Sequence, residues 1–161
     1  MSVTSVEKNP ETLTLSITSA FDAPLDQVWG VWSDPRKLER WWGPPTWPAT
    51  FVEHDLAPGG HISYFMTGPT GDRHWGWWQV LAADPPRGLQ FESGFSDGEG
   101  QPNPDLPTMT IRASLAEAAD DGTTMVVETT FASLEAMEQV LAMGMEQGMT
   151  GALGQIDGLL S

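Results

Sequence analysis

The sequence predicts an α+β fold: a curved, seven-stranded antiparallel sheet with two short helices and one long C-terminal helix across its concave face. Stretches that alternate apolar and polar residues are typical of half-buried strands, and short turns rich in Gly and Pro favour antiparallel neighbours. Residues 133–160 instead repeat apolar residues three and four apart, which indicates a helix. The length of 161 residues favours one domain over the whole chain, with residues 1–11 as a loose N-terminal tail.

The first strand and the two short helices are predicted within residues 12–42. The opening segment TLTLSITS alternates strictly and predicts a strand. In FDAPLDQVWGVW, Pro24 suits the first turn of a helix, and the apolar residues that follow keep helical spacing. The second helix, SDPRKLERWW, ends in Trp41 and Trp42, whose directions differ by about 100°. We expect Trp41 against the core or the mouth of a cavity, Trp42 on neighbouring strands, and Gly43 in the left-handed conformation that ends a helix.

Six further strands are predicted before the long helix, and the turns APGG, TGPTGD, DPPRG and ADDG separate them. In RHWGWWQVLAA we expect Trp75, Trp77 and Leu81 to face the long helix, because alternation then puts Trp78 and Val80 on the opposite face. The same concave side should carry apolar residues of three other strands, namely Phe91, Met109, Ile111, Met125 and Val127. The acidic segment at 96–107 has no periodicity, and loops of this length are often mobile or line a binding site.

The predicted long helix begins after Ser133, a good N-cap, and contains many glycines. Its apolar stripe is Met137, Leu141, Met145, Met149, Leu153, Ile156 and Leu160. Each interior Gly costs about 0.8–1 kcal/mol relative to Ala. We therefore expect Gly144, Gly148 and Gly151, which flank the stripe, to leave a thin roof that shifts or to allow a close approach to another surface.

Composition excludes several classes of function. The chain has 22 acidic and 7 basic residues and a formal net charge of −15, so we expect neither a nucleic-acid nor a membrane partner. Cysteine is absent, which excludes disulfides, a thiolate nucleophile and thiolate-bound metal. No apolar leader or membrane-length run is present, and we expect a cytoplasmic protein.

No motif demands catalysis or a metal. The histidines His54, His61 and His74 do not have metal-ligand spacing, and HExxH, GxSxG and P-loop signatures are missing. We therefore predict no catalytic residue, no metal and no cofactor. Asp55 is expected to hold the PGG turn through backbone N–H groups, and Glu128 to point outward from its strand.

Four stretches closely resemble bacterial relatives of the activator of the ninety-kilodalton heat-shock-protein ATPase. These stretches are LSITSAFDAPLDQVWGVWSDPRKLERWWGPP, DLAPGG, GWWQVL and EQGMTGALGQIDGLL. Such proteins belong to the START-like, helix-grip superfamily, together with polyketide cyclases and pollen-allergen ligand carriers. The chain departs from the pattern at Ser19 and Ala57, where many relatives carry arginine, and at Met149, where many carry tryptophan. These departures weaken the expectation of an anionic ligand and favour a larger, softer cavity.

The resemblance implies a helix-grip fold whose cavity, between sheet and C-terminal helix, binds an apolar or aromatic small molecule in a stress or metabolite response. Eight Trp and eight Met suit an adaptable apolar pocket. The candidate ligand-binding residues are Trp41, Phe51, Trp75, Trp77, Phe91, Met109, Met125, Met145 and Met149. A cyclase or hydrolase in the same cavity, and a co-chaperone-like activator of a heat-shock ATPase, are the alternatives. We expect a monomer or a homodimer.

Overall fold

The computed structural model describes residues 3–96, 101, 103 and 105–160, so the acidic segment at 96–107 lies partly outside the described residues. Within them, eight strands form one open antiparallel sheet. The strands are β1 Val3–Asn9, β2 Thr14–Phe21, β3 Ala49–His54, β4 His61–Thr67, β5 Arg73–Asp84, β6 Gly88–Phe95, β7 Met109–Glu117 and β8 Thr123–Phe131. Their order across the sheet is β1-β2-β8-β7-β6-β5-β4-β3.

Four α-helices and two short 3₁₀ turns complete the described chain. They are α1 Leu25–Ser33, α2 Pro35–Trp41, α3 Leu134–Ala142 and α4 Met145–Leu153, with 3₁₀ turns at Ala119–Asp121 and Ile156–Leu159. Asp34 caps α2 by accepting a hydrogen bond from the Arg36 nitrogen, and Ser133 caps α3 as predicted, accepting one from Ala136. No helix in the described part of the chain is long and apolar enough to cross a bilayer.

The prediction of a seven-stranded sheet with a loose N-terminal tail was wrong, because residues 3–9 form the edge strand β1. This strand pairs with β2 from Val3 opposite Ser19 to Asn9 opposite Thr14. Its side chains are largely exposed on both faces, so its sequence has no apolar alternation to reveal it. Backbone hydrogen bonds rather than apolar burial therefore define the strand.

The prediction of a single long C-terminal helix was also wrong, because Gly144 interrupts the helix. Gly144 has a φ of +88°, a left-handed conformation that lies outside an α-helix and suits glycine. Helix α3 ends just before it and α4 begins just after it. The apolar stripe still turns inward on both sides of the break: Met137 and Met149 are buried, and Met145 packs against the core.

The predicted register of β5 was inverted. Trp78 and Val80 are buried in the core, whereas Leu81 is 50% exposed. Val80 lies opposite Phe91 of β6, and directly paired residues point to the same face. Phe91 is buried, as predicted for the concave side, and so are Met109, Ile111, Met125 and Val127.

Two turns show which local predictions hold. Gly43 is not left-handed; α2 ends through Trp42, and a Cβ at position 43 would lie 2.9 Å from the Ala49 nitrogen. Glycine is needed there for close approach of the following backbone. The role of Asp55 is confirmed, since its carboxylate accepts a hydrogen bond of 3.3 Å from the Ala57 nitrogen. Glu128 is also confirmed on the outer face, as its neighbours Val127 and Thr129 are buried.

Candidate functional site

A cavity of about 720 Å³ lies between the concave face of the sheet, the end of α2 and the helices α3 and α4. Strands β4, β5, β6 and β7 supply its floor, and the break at Gly144 lies in its roof. Its lining includes the side chains of Trp42, Tyr64, Met66, Met109, Met145 and Met149. Five of the eight methionines line the space, Met143 being the fifth. Unbranched, polarisable Met side chains adapt to irregular apolar partners.

Charge is distributed unevenly around the cavity. Although the chain has 22 Asp and Glu residues, none lines the cavity in the described part of the chain. Its basic lining residues are Arg73 and His74, both exposed at the rim. Arg73 lies 4.4 Å from the centre of the Phe65 ring, and His74 packs against Trp47 with ring centres 4.6 Å apart. The inner end is therefore apolar, and the two basic residues are near its opening.

The two adjacent tryptophans serve different purposes. Trp41 is fully buried, and its indole N–H donates a 2.9 Å hydrogen bond to the Val31 carbonyl. Trp42 is 6% exposed and lines the cavity, and its indole N–H has no hydrogen-bond partner among the described residues. The same is true of the Trp78 N–H. Trp41 therefore fastens α2 to α1, while Trp42 forms part of the cavity wall.

Tyr64 lies between these unpaired indoles. Its ring makes edge contacts with Trp42 and Trp78, with ring centres 6.2 and 6.1 Å apart, and stacks on Phe51 at 5.0 Å. Burial raises the pKa of the Tyr64 phenol above its usual 10.0, and the nearby indole N–H groups of Trp42 and Trp78 oppose that rise. Neither N–H reaches the phenol oxygen with good hydrogen-bond geometry. Because its pKa lies above 10.0, the phenol stays protonated at neutral pH.

Gly76 creates the space for the Tyr64 hydroxyl. It lies directly across from Tyr64 in the β4–β5 pair, and a Cβ at this position would be 2.5 Å from the phenol oxygen. Any larger residue would therefore displace the phenol ring from its place in the wall. Glycine in a strand marks such a close approach.

The structure brings together only part of the predicted site. Met109, Met145 and Met149 line the cavity, and Trp75 borders it, although the Trp75 ring packs against Phe65 at 4.8 Å on the face of β5 that carries Trp77. Four others, Trp41, Phe51, Phe91 and Met125, are buried in the core and are not among the lining residues. Trp77 lies on the other face of β5, where its ring covers Gly94. Sequence reasoning missed Tyr64 and Trp42 as lining residues, although Tyr64 shares a strand face with the buried Ile62.

No group of three or more His, Cys, Asp or Glu side chains in the described ranges is arranged to hold a metal ion. The titratable side chains around the cavity in these ranges are Tyr64, Arg73 and His74. Their arrangement offers hydrogen-bond donors at an apolar surface. It can thus orient a small apolar molecule through a few polar contacts.

Several solved protein structures share this architecture. The crystal structure of protein Ms6760 from Mycobacterium smegmatis is 47% identical, with a TM-score of 0.91 over 99% of this chain and 97% of that one. A solution structure from Arthrobacter aurescens is 46% identical, with a TM-score of 0.94 over 98% and 91% of the two chains. The AHSA1 protein from Silicibacter pomeroyi, 18% identical, shares the fold with a TM-score of 0.73 over 90% and 95% of the two chains.

No functionally curated protein matches the chain at a significant level. The family model described as Activator of Hsp90 ATPase homolog 1-like protein matches residues 22–161, which include α1 to α4 and the six strands β3 to β8, but neither β1 nor β2. The resemblance drawn from the sequence is therefore confirmed, and this chain belongs to the Activator of Hsp90 ATPase homolog 1-like family.

Proposed function

We propose that this protein binds an apolar or aromatic small molecule in the cavity between the sheet and the C-terminal helices. The observation that carries the proposal is the contrast between the cavity and the rest of the chain. In a molecule with a formal net charge of −15, the described lining has no carboxylate and contains five methionines. Apolar lining with few polar groups is typical of small-molecule sites.

The size of the cavity supports the same proposal. Its volume of about 720 Å³ lies within the range of about 300–1,000 Å³ that is usual for ligand pockets. A well-packed protein interior has few voids larger than a water molecule. A concave space of this size beside a buried aromatic core therefore supports the proposal of a small-molecule site.

The experiment measures binding of Nile red, an uncharged apolar dye whose fluorescence rises in apolar surroundings. Gly148 of α4 lines the cavity, and nothing lies within 4 Å of where its Cβ would be. Gly148→Leu should partly fill the space and weaken dye binding about tenfold, a loss of about 1.4 kcal/mol. We expect saturable binding of one dye per wild-type chain.

Gly30→Leu is the matched control. Gly30 also lies inside a helix with nothing within 4 Å of its Cβ position, but it does not line the cavity. This variant should bind Nile red as the wild type does, provided that thermal unfolding shows both variants to be folded. Unsaturable binding to the wild type, or equal weakening by both substitutions, would contradict the proposal.

A further inference from the structure

We infer that the inner end of the cavity recognises a neutral acceptor oxygen, such as a ketone carbonyl, on an otherwise apolar ligand, through the hydroxyl of Tyr64. This inference rests on the proposed function and names the chemical class of its ligand. It begins with the position of Tyr64, which lines the cavity and is 8% exposed. Stacking on Phe51 and edge contacts with Trp42 and Trp78 hold the ring on several sides. The position of its phenol oxygen is therefore fixed before a ligand arrives.

Two buried hydrogen-bond donors lie unpaired beside Tyr64. The indole N–H groups of Trp42 and Trp78 are buried and make no hydrogen bond of good geometry with the described residues, although both lie near the Tyr64 oxygen. An indole offers only a donor, and no carboxylate lines the described part of the cavity. Leaving a buried donor unpaired costs free energy. A ligand that accepts a hydrogen bond from the Tyr64 hydroxyl would hold that proton toward the ligand and leave the phenol oxygen free to accept from the two indoles.

The acceptor should be uncharged. Burial raises the pKa of Tyr64, which means that these surroundings disfavour a negative charge on the phenol oxygen. A carboxylate placed beside that oxygen would meet the same unfavourable surroundings. The lining cation, Arg73, is exposed and packs over Phe65, so it leaves an anion at the inner end without compensation. A ketone, amide or similar carbonyl accepts the hydrogen bond without this cost.

The first experiment compares fluorenone with fluorene, two rigid tricyclic compounds of nearly equal shape that differ by a carbonyl oxygen. Equilibrium dialysis should give wild-type protein a five- to tenfold higher affinity for fluorenone, roughly the effect of one hydrogen bond. Tyr64→Phe should remove this preference and leave the affinity for fluorene within about twofold of the wild-type value. Ser93→Ala removes another buried hydroxyl from the lining and should keep the preference.

A second measurement needs no variant. A hydrogen bond to a carbonyl weakens the C=O bond, so the infrared carbonyl stretch of protein-bound fluorenone should lie below its frequency in hexane. If Tyr64 is the donor, the band should return toward the hexane frequency in Tyr64→Phe. An unshifted band in the wild-type complex would overturn the inference even if the variant failed to fold.

The outcomes separate this inference from the proposed function. Equal binding of both compounds, unaffected by Tyr64→Phe, would overturn the carbonyl inference and leave cavity binding intact. Loss of the preference in Ser93→Ala would also overturn the assignment to Tyr64. Tighter binding of a fluorene carboxylate than of fluorenone would overturn the inference that the ligand's acceptor is uncharged. Absence of binding for all three compounds would overturn this inference, whereas the Nile red experiment decides the proposed function.

Discussion

Gly43 shows a single residue that is fixed by backbone proximity. A Cβ at this position would lie 2.9 Å from the Ala49 nitrogen and closer still to the Trp47 carbonyl oxygen, and neither backbone atom can move freely. We expect Gly43→Ala to destabilise the protein by about 1–3 kcal/mol through overpacking. At Gly30 in α1, an added Cβ would meet nothing within 4 Å, so Gly30→Ala should instead stabilise the protein by up to about 1 kcal/mol. Urea unfolding measures both, and equal effects of the two substitutions would disprove the close-approach argument.

Tyr64 gives a prediction about pH. It is the only tyrosine in the chain, so the ultraviolet absorbance of phenolate reports this residue alone. Because burial raises its pKa above 10.0, the midpoint in the folded protein should lie above that value. Below pH 10 this group should not alter the free energy of unfolding. Above pH 10 the unfolded chain loses the phenol proton first, so the free energy of unfolding should fall until the pH passes the pKa of the folded protein. Tyr64→Phe should lack this part of the alkaline decline, and a native midpoint at or below 10.0 would show that burial does not control the phenol.

Helix α4 depends on its packing more than on its own sequence. Gly148 and Gly151 lie inside it, and a Cβ at either position would meet nothing closer than the Pro45 ring at 3.7 Å. Gly148→Ala and Gly151→Ala should each raise the free energy of unfolding by about 0.4–1 kcal/mol. Gly144→Ala should lower it by about 1–2 kcal/mol, because its φ is +88°. Chemical denaturation tests the contrast, and destabilisation by all three would mean that α4 contacts its surroundings more closely.

If α4 is a movable roof, its amide hydrogens should exchange with solvent faster than those of the central strands. Its N-terminal end follows the left-handed Gly144, while Gln155 beyond its C-terminal end donates a 2.7 Å hydrogen bond to the Gly43 carbonyl. We therefore expect the fastest exchange at the start of α4 and slower exchange towards Gln155. Saturation with fluorenone should slow the exchange at the start of the helix. Uniform protection equal to that of β7 and β8, unchanged by ligand, would disprove a movable roof.

Elements with one apolar face could be predicted from the sequence, and elements without one could not. Strands β2, β7 and β8 alternate clearly, and their buried faces match that pattern. Strand β5 has large apolar residues on both faces around Trp77 and Trp78, so alternation alone cannot choose its inner face. Partners across the sheet decide it: Gly94 accommodates Trp77 on one side, and Gly76 accommodates Tyr64 on the other.

The apolar character of the candidate site could be predicted from the sequence, but only some of the residues that line it could be. Met109, Met145 and Met149 were predicted from their apolar spacing, and they line the cavity. The same rule cannot separate a residue that lines a cavity from one that fills the core, as the fully buried Met125 illustrates. Nor could it find the unpaired indole of Trp42, because hydrogen-bond satisfaction depends on neighbours far away in sequence.

At the scale of the whole molecule, charge repulsion should dominate the response to salt. The ion pairs in the described residues are Lys8–Glu146 at 2.8 Å, and Arg36–Glu39 and Arg87–Glu117 at 3.3 Å, each with a largely exposed basic partner. Such pairs contribute little, whereas a net charge of −15 repels itself in the compact state. Sodium chloride should therefore raise the melting temperature at neutral pH. Near the isoelectric point of about 4.2 this increase should vanish, and a fall at neutral pH would show that the pairs matter more.

The indole cluster beside the cavity has an optical consequence. The rings of Trp32, Trp41, Trp42 and Trp78 form a connected set, with successive ring centres 4.8, 5.6 and 4.7 Å apart. At such separations, light energy absorbed by one indole passes to another before it is emitted. A coloured compound in the cavity, next to Trp42, would collect energy from the whole set and quench most of its emission. The intrinsic fluorescence of the protein would thus report a compound in the cavity, provided that the compound absorbs light at the wavelengths that indole emits.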